Sequence, residues 1–304
     1  MNKGMITAGL VLFLLSCSKD ENNVPDPTTA TVLTDVAYGS AERHRMDVYL
    51  PANRSNATPV VMIVHGGGFV AGDRSHFSEL SADISARGYA VLNISYRLVD
   101  SSGALKLPPD HKPSEVKLTE QLADLKAAAD YAAARAGQWT ISSDKWAVAG
   151  HSAGGTLALL FAYSEHNTGG RVKAVGNWAG VTNLSFADES QVSQLDPRLV
   201  EIFYRLVGHE ATNANKLAYM AVSPYWVVHN GRGIPTINIR PEHNSVFNMP
   251  DGSFAEYQSF TQKLTEKNVP NAWVEVAGAD HGFGQPGNWK RVIDESLAFF
   301  ESYY

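Results

Sequence analysis

The residue types that acyl-group chemistry requires occur around one serine of this sequence. Ser152 lies in GHSAGG (residues 150–155), directly between an apolar run typical of a strand and one typical of a helix. Glycines two positions before and two after a serine permit a sharp strand-to-helix turn, which lifts the hydroxyl above the sheet. Because a serine hydroxyl is a weak nucleophile, it also needs a base and donors for the oxyanion that its attack creates. The motif predicts Ser152 as a nucleophile.

Donors for such an oxyanion are expected from the turn itself and from a second glycine motif. The backbone N–H of Ala153 lies at the start of the predicted helix, where the helix dipole favours negative charge. The sequence HGGGF (residues 65–69) ends an earlier apolar strand. Its successive glycines let main-chain N–H groups approach a substrate without side chains in between. We predict Gly67 and Gly68 as the further donors, and the sequence does not choose between these adjacent amides.

Regular elements must position these motifs, and the chain alternates apolar runs with helical periodicity from about residue 31. This alternation predicts βα units and a mostly parallel sheet. The region 184–226 is helical only in patches and interrupts the pattern, so we predict a small cap insertion there. The expected strands are residues 31–36, 45–50, 59–64, 90–95, 145–149, 172–178, 236–239 and 272–276, and the expected helices are 77–87, 115–136, 156–163, 254–267 and 292–303.

Together with DHGF at residues 280–283, the two glycine motifs resemble those of the α/β-hydrolase fold. Within that fold the chain is similar to esterases and lipases of the hormone-sensitive-lipase-like and feruloyl-esterase-like groups, over roughly residues 31–304. The resemblance implies a central, mostly parallel eight-stranded sheet with helices on both faces. It also implies that His281, after the last strand, is the general base, and that neither a metal nor an organic cofactor is needed. The histidines show no zinc-ligand spacing.

The third catalytic group is where the chain departs from the family pattern. The family places an acid, usually an aspartate, just after the strand expected at 236–239, where it fixes the tautomer of the base and stabilises the imidazolium. The best register puts Asn244 at this position, and the other recurrent location holds Asn183. An amide there can hold the ring in the wrong tautomer. We predict Glu242 as the acid, because it is the only carboxylate on this loop and has a long side chain; Asp251 is the second candidate.

The first thirty residues differ in composition from the rest of the chain. The apolar run of residues 5–15 is too short to span a bilayer, and it resembles the core of a bacterial lipoprotein signal peptide at residues 1–16. Cys17, the only cysteine, stands where such proteins are lipidated. Residues 17–30 are polar, acidic and proline-bearing, which predicts a flexible tether before a catalytic domain at 31–304. The acidic stretch resembles the surface-export signal of Bacteroidetes lipoproteins, which implies an enzyme anchored on the outer face of the outer membrane.

Charge and motifs together narrow the function classes. The chain has 25 basic and 31 acidic residues and no Lys/Arg cluster, which argues against a nucleic-acid partner. The motifs predict a serine carboxylic ester hydrolase that works through an acyl-enzyme. A surface anchor favours an acylated polysaccharide or another external ester as the substrate. The alternatives are an amide hydrolase of the same fold and a catalytically impaired binding protein.

The environment of the base should discriminate between an enzyme and a binding protein. A carboxylate within hydrogen-bond reach of His281 Nδ1 favours the enzyme, whereas an asparagine or nothing there favours the binding protein. Acyl preference, the alcohol portion of the substrate and the oligomeric state stay open at this stage, because fold does not fix substrate.

Overall fold

The computed structural model describes residues 24–228, 233–245 and 253–304. In this part of the chain, one eight-stranded sheet has the strand order β1-β2-β4-β3-β5-β6-β7-β8. The pairs β1–β2 and β2–β4 are antiparallel, and all other neighbours are parallel. The strands are β1 (Thr31–Ala37), β2 (Arg45–Leu50), β3 (Val60–Val64), β4 (Ala90–Ile94), β5 (Trp146–His151), β6 (Val172–Trp178), β7 (Thr236–His243) and β8 (Asn271–Asp280).

Helices connect the parallel strands and cover both faces of the sheet. They are α1 (Ser78–Ala86), α2 (Leu118–Ala134), α3 (Ala136–Trp139), α4 (Ala153–Tyr163), α5 (Glu189–Val192), α6 (Pro197–Val207), α7 (Lys216–Ala221), α8 (Pro224–Val227), α9 (Ser253–Glu266) and α10 (Asn288–Glu301). The predicted fold class, an α/β sheet with helices on both faces, is confirmed. No helix in the described ranges has the length and apolar character needed to cross a bilayer.

Two hydrophobic layers form the core, one on each side of the central strands. Along β3, Val60, Met62 and Val64 contact one layer, together with α2, α4 and α9. The alternate residues Val61 and Ile63 contact the other layer, together with α1 and α10. All five residues of β3 are buried, which explains why a continuous apolar run predicted this strand correctly.

The last two strands extend further than their apolar residues indicated. The apolar runs predicted 236–239 and 272–276, but β7 continues to His243 and β8 to Asp280. The two strands remain paired along this extension through a register shift between Pro241 and His243. Because β8 is an edge strand with an exposed face, its later residues lack the apolar pattern that reveals a buried strand.

The segment predicted as a tether is attached to the domain over its second half. Arg54 donates hydrogen bonds to the carbonyls of Pro25 and Thr29 at 2.7 and 2.9 Å, and its own N–H donates to Pro27 O. Residues 25–29 of the predicted tether are thus bonded to the domain by a nearly buried guanidinium, and the tether itself stays a prediction. The predicted signal peptide and Cys17 lie outside the described residues.

Helices α5 to α8 lie in the segment predicted as a cap. The cap is joined to the loop after β6, where Tyr225 N–H donates to Thr182 O at 2.8 Å and Trp226 Nε1 donates to Ser185 Oγ at 2.9 Å. A cavity of about 340 Å³ lies between α6 and the loop before α2, with Pro109, His111, Val192, Ser193, Leu195, Pro197, Val200, Glu201, Tyr204 and Glu210 as its lining.

Candidate active site

Ser152 occupies the strained turn between β5 and α4. Its backbone has φ 54° and ψ −125°, a conformation that costs a non-glycine residue about 1–3 kcal/mol. The turn is too tight for side chains on either side. A Cβ at Gly150 would lie 2.3 Å from the carbonyl oxygen of Gly154, and a Cβ at Gly154 would lie 2.1 Å from that of Val64. Both glycines of the motif are thus required sterically, and they hold Ser152 at the carboxyl end of the sheet.

His281 lies directly after β8 and faces the serine. Its Nε2 is 2.9 Å from Ser152 Oγ, which is hydrogen-bond distance for accepting the hydroxyl proton. Burial, with a smaller contribution from the neighbouring His151, lowers the pKa of His281 to about 4, although the charge of Asp280 acts in the opposite direction. The imidazole is therefore neutral near pH 7 and available as a base. The structure brings together the two residues that the sequence predicted as nucleophile and base.

Asn244, and not Glu242, is the partner of the base. Asn244 Oδ1 lies 2.5 Å from His281 Nδ1. An amide oxygen can only accept, so it accepts a hydrogen bond from Nδ1–H, which keeps the proton on Nδ1 and leaves Nε2 free to accept from Ser152. With its oxygen facing the ring, the amide favours the productive tautomer, contrary to the concern raised by the sequence.

Glu242 was predicted as the acid, and in the structure it does not face the base. Its Oε2 accepts a hydrogen bond from the Gly278 N–H at 2.7 Å, and its Oε1 lies 4.0 Å from His243 Nε2. The physical reason is the continuation of β7 through this residue, which places Glu242 alongside β8 and delays the loop to Asn244. Asp251, the second candidate, lies outside the described residues.

Asn183 and Asp280, two other polar residues considered for the acid position, bond to their own loops and not to the base. Asn183 Oδ1 accepts from the backbone N–H and the hydroxyl of Ser185. The carboxylate of Asp280 accepts from the Gly282 N–H and from Gln285 Nε2, at 3.1 and 3.2 Å, and so holds the loop that carries the base.

The three residues predicted as oxyanion donors have backbone N–H groups that the hydrogen bonds of the described fold do not use. Gly67 has φ 118°, and a Cβ there would lie 2.2 Å from the Ala71 carbonyl oxygen, so only glycine fits. Within the described ranges, no acceptor takes the N–H of Gly67 or Gly68. Ala153 is the first residue of α4, so its N–H has no intrahelical acceptor. The glycine motif of residues 65–69 positions the amides of Gly67 and Gly68. The assignment of all three residues to the oxyanion hole stays a prediction.

His65, the first residue of the glycine motif, holds this turn and does not act as a base. Its Nδ1–H donates to the Gly66 carbonyl oxygen at 2.8 Å, and its ring stacks on Tyr96 with 4.3 Å between centroids. Arg43 Nη2 lies 3.4 Å from its other ring nitrogen and donates to Gly72 O at 2.7 Å. Burial lowers the pKa of His65 to about 4, so this ring is neutral at physiological pH.

The chain order of these groups, with the serine after β5, the amide after β7 and the histidine after β8, is that of an α/β hydrolase, with an amide in place of the usual acid. The BD-FAE family model matches residues 46–246, more than half of the chain, and the protein belongs to that family.

Comparisons with known structures and sequences agree with this class. A truncated carbohydrate esterase from gut microbiota superposes with a TM-score of 0.68 at 20% identity, and the match covers 91% of this chain and 98% of that one. At this identity the likeness shows a shared fold.

Two curated relatives match over shorter stretches. A probable isoprenylcysteine alpha-carbonyl methylesterase of Oryza sativa subsp. japonica is 35% identical over 69 residues, which is 23% of this chain and 16% of the relative. The kynurenine formamidase of Danio rerio is 26% identical over 157 residues, 50% of this chain and 47% of the relative. The chain thus matches less than half of the length of either relative.

Proposed function

We propose that this protein is a carboxylic ester hydrolase that forms an acyl-enzyme on Ser152. The observation that carries the proposal is the 2.9 Å contact between Ser152 Oγ and His281 Nε2 at a strained strand-to-helix turn. As Oγ attacks the ester carbonyl, its proton passes to Nε2, and the N–H groups of Ala153, Gly67 and Gly68 stabilise the oxyanion. His281 Nε2 then protonates the departing alcohol, which leaves the acyl group on Ser152. In the second step the same nitrogen deprotonates a water molecule, which attacks the acyl-enzyme and releases the acid and free Ser152.

Asn244 sets the orientation of the base in this mechanism but contributes no charge. Its Oδ1 accepts Nδ1–H throughout the cycle. When His281 becomes an imidazolium, a carboxylate in this position would stabilise the new positive charge, and a neutral amide does so only through its dipole. The site is therefore built to work as a serine–histidine–asparagine triad with a base of low pKa.

The substrate class that we favour is an ester of a short acyl group on a carbohydrate. The similarity to a carbohydrate esterase from gut microbiota supports this choice. The proposed surface location supports it as well, because a protein outside the cell meets polysaccharide esters there. The proposed function needs no nucleic-acid partner.

The direct test is hydrolysis of p-nitrophenyl acetate, butyrate and octanoate by the chain lacking residues 1–17, beside Ser152→Ala as the matched control. We expect turnover of the shorter esters and loss of at least about a thousandfold in the variant, because the nucleophile is gone. Release of acetate from acetylated xylan by the same pair of proteins tests the carbohydrate substrate. Equal rates for the wild type and Ser152→Ala would refute the acyl-enzyme mechanism.

The binding-protein alternative has one observation in its favour, the asparagine at the acid position. A fluorophosphonate probe distinguishes the two, because it reacts with a serine only where a base activates it. Labelling of Ser152 supports the enzyme; an unlabelled serine, with tight binding of an acylated oligosaccharide, would support the binding protein. The amide-hydrolase alternative rests on the likeness to a formamidase, and N-formyl and O-acetyl substrates compared on one preparation test it.

We propose further that the mature chain is lipidated at Cys17 and anchored to the outer face of the bacterial outer membrane. The sequence of residues 1–17 supports this location, as does the polar, acidic stretch that follows. Cys17→Ser should move the protein from the membrane fraction to the soluble fraction without changing ester hydrolysis. Digestion of the wild type by protease added to intact cells tests surface exposure. A soluble wild type would contradict the anchor.

A further inference from the structure

We infer that His151, the residue before the nucleophile, is a positioning residue that holds the base through its main chain. This inference rests on the proposed esterase function. His151 Nε2 lies 2.7 Å from the carbonyl oxygen of His281. A carbonyl oxygen only accepts, so the proton of His151 resides on Nε2 and the ring donates. The last residue of β5 thereby fixes the loop that follows β8: the donor precedes the nucleophile in sequence, and the acceptor is the main chain of the base itself.

An aromatic enclosure keeps the His151 ring in this orientation. Trp289, Phe283 and Phe77 present edges or faces to it, with ring centroids 5.5, 6.0 and 6.3 Å away. The His281 ring itself is 5.0 Å away. Burial lowers the pKa of His151, so the ring stays neutral beside a base that becomes positive during the reaction. A cationic residue here would oppose that step, whereas a neutral donor supports it.

The triad of this protein gives such an anchor particular importance. A carboxylate after β7 would form a charge-assisted hydrogen bond with the base, about twice as strong as one between neutral groups. Asn244 supplies only the neutral bond. The loop of His281 is held in addition by the Asp280 carboxylate and by His151. Of these contacts, the one from His151 is made to the main chain of the base itself, so its loss should displace the imidazole relative to Ser152.

Three substitutions at this position separate donation from bulk. In His151→Gln the side-chain amide nitrogen lies as many bonds from Cα as Nε2 does in histidine, so it can still donate to His281 O. His151→Asn has the same amide one methylene shorter and cannot reach. His151→Met retains the volume without a donor. Thermal melts establish that each variant is folded before its activity is compared.

Two readouts are measured: kcat and KM for p-nitrophenyl acetate, and the rate at which a fluorophosphonate inactivates Ser152. We expect kcat and the inactivation rate to fall about 10- to 100-fold in His151→Met and His151→Asn, with KM changed less than threefold, because a misplaced base slows the chemistry and not the binding. His151→Gln should retain both rates to within about threefold. If His151→Met does not fold, the comparison of Gln with Asn decides.

If both His151→Asn and His151→Met fold and retain wild-type rates, the inference is overturned. It is also overturned if His151→Gln and His151→Asn lose equal activity, because that would indicate a role in packing alone. These outcomes differ from failure of the proposed function, in which the wild type itself hydrolyses no ester. In the background of Asn244→Asp the cost of His151→Met should be smaller, because the charged bond then holds the base independently.

Discussion

At the scale of single residues, the identity of the third triad member determines the pH range in which the protein works. The general base must be neutral to accept the serine proton, and burial, with no carboxylate bonded to its Nδ1, lowers the pKa of His281 to about 4. kcat/KM should therefore rise as the pH is raised through this low value and be level around neutrality. A base held by a carboxylate would show the same rise at a higher pH.

Asn244→Asp tests this reading directly. A negative charge beside Nδ1 stabilises the imidazolium, so we expect the acidic limb of the kcat/KM profile to move to higher pH, and kcat near pH 7.5 to increase about tenfold. The increase is smaller than the penalty usual for an amide in this position, because the oxygen of Asn244 already favours the correct tautomer.

The matched control is Glu242→Gln, which removes the carboxylate that the sequence predicted as the acid. Because that carboxylate bonds to the Gly278 N–H and not to the base, neither the position of the acidic limb nor kcat should change by more than about twofold. An acidic limb that stays in place in Asn244→Asp, or one that shifts in Glu242→Gln, would contradict the assignment.

The sequence was informative where the chemistry is local and failed where it depends on strand pairing. Ser152 and its glycines are recognisable within six residues, and His281 stands in a motif of its own. The acid position depends on how far β7 continues beside β8, which a register shift between Pro241 and His243 determines. The sequence register already places Asn244 at the position of the acid, as the structure does. Glu242 is predicted instead only because a carboxylate is expected there. The sequence assigns His151 no role of its own, because its contact is to a main-chain atom 130 residues away.

At the scale of elements, the strand-to-helix turn should tolerate no added atom. In Gly154→Ala the new Cβ would lie 2.1 Å from Val64 O and 2.5 Å from His65 O, both main-chain atoms of the central strand and its glycine turn. We expect a loss of more than about 3 kcal/mol in the free energy of unfolding and no measurable esterase activity. Urea denaturation followed by circular dichroism measures the former.

Gly137→Ala is the control for this substitution. Gly137 lies within α3, and a Cβ there would have no heavy atom within 4 Å. Alanine should leave activity unchanged and should raise the free energy of unfolding by up to about 1 kcal/mol, since it restricts the unfolded chain. Similar stabilities for the two alanine variants would show that the strand-to-helix turn can relax, and this would contradict the close packing described above.

The cap is attached to the loop before α2 by a histidine between two carboxylates. His111 Nδ1 lies 2.9 Å from Glu201 Oε2, and its Nε2 lies 3.0 Å from Glu210 Oε1. Glu201, which is buried, also accepts from Arg205 Nε at 2.6 Å. Hydrogen bonding to Glu201 raises the pKa of His111, with further contributions from the charges of both carboxylates. When protonated, the ring joins the loop to α6 and to Glu210, three residues beyond the end of that helix.

His111→Gln should reveal this attachment through its pH dependence. Because the folded pKa is above the unfolded value, the stabilisation is fully present below about pH 6.5 and disappears as the pH rises through the folded pKa. The wild type should therefore exceed the variant in free energy of unfolding at pH 5.5 and not at pH 9. Because more than half of the His111 side chain is exposed, solvent screening limits the difference to about 1 kcal/mol or less. A difference that is the same at both pH values would show that His111 acts by packing alone.

At the scale of the whole molecule, the proposed anchor and the catalytic domain are closer along the chain than the composition suggested. Bonds from Arg54 attach residues 25–29 to the domain, so only about seven residues separate a lipidated Cys17 from the first attached residue. The eight extended Cα–Cα steps from Cys17 to Pro25 span at most about 29 Å. If the chain is anchored as proposed, Pro25 and the part of the domain bonded to it lie within that distance of the membrane surface, so the enzyme stays close to the cell.

The buried histidines should make the whole fold sensitive to acid. His65 and His281 have pKa values lowered to about 4, and that of His151 is lowered as well, chiefly by burial. In the unfolded chain each would titrate at its ordinary value of about 6.5. Between these limits the unfolded state binds more protons than the folded state, so stability is fully present above about pH 6.5 and falls as the pH is lowered towards 4.

His65→Gln tests how much of this acid sensitivity arises from a histidine that lies outside the triad. His65 is completely buried, so its protonation below pH 4 should cost up to about 3 kcal/mol, and the variant, which has no proton to take up there, avoids that cost. We expect the variant to be less stable than the wild type at pH 7, where it lacks the bond to the Gly66 carbonyl in its native geometry. Its disadvantage should shrink as the pH falls, as urea titrations at pH 7, 6, 5 and 4.5 would measure. A constant difference across this range would mean that His65 titrates alike in the folded and unfolded chains, and the acid sensitivity would then have to arise from residues around the triad.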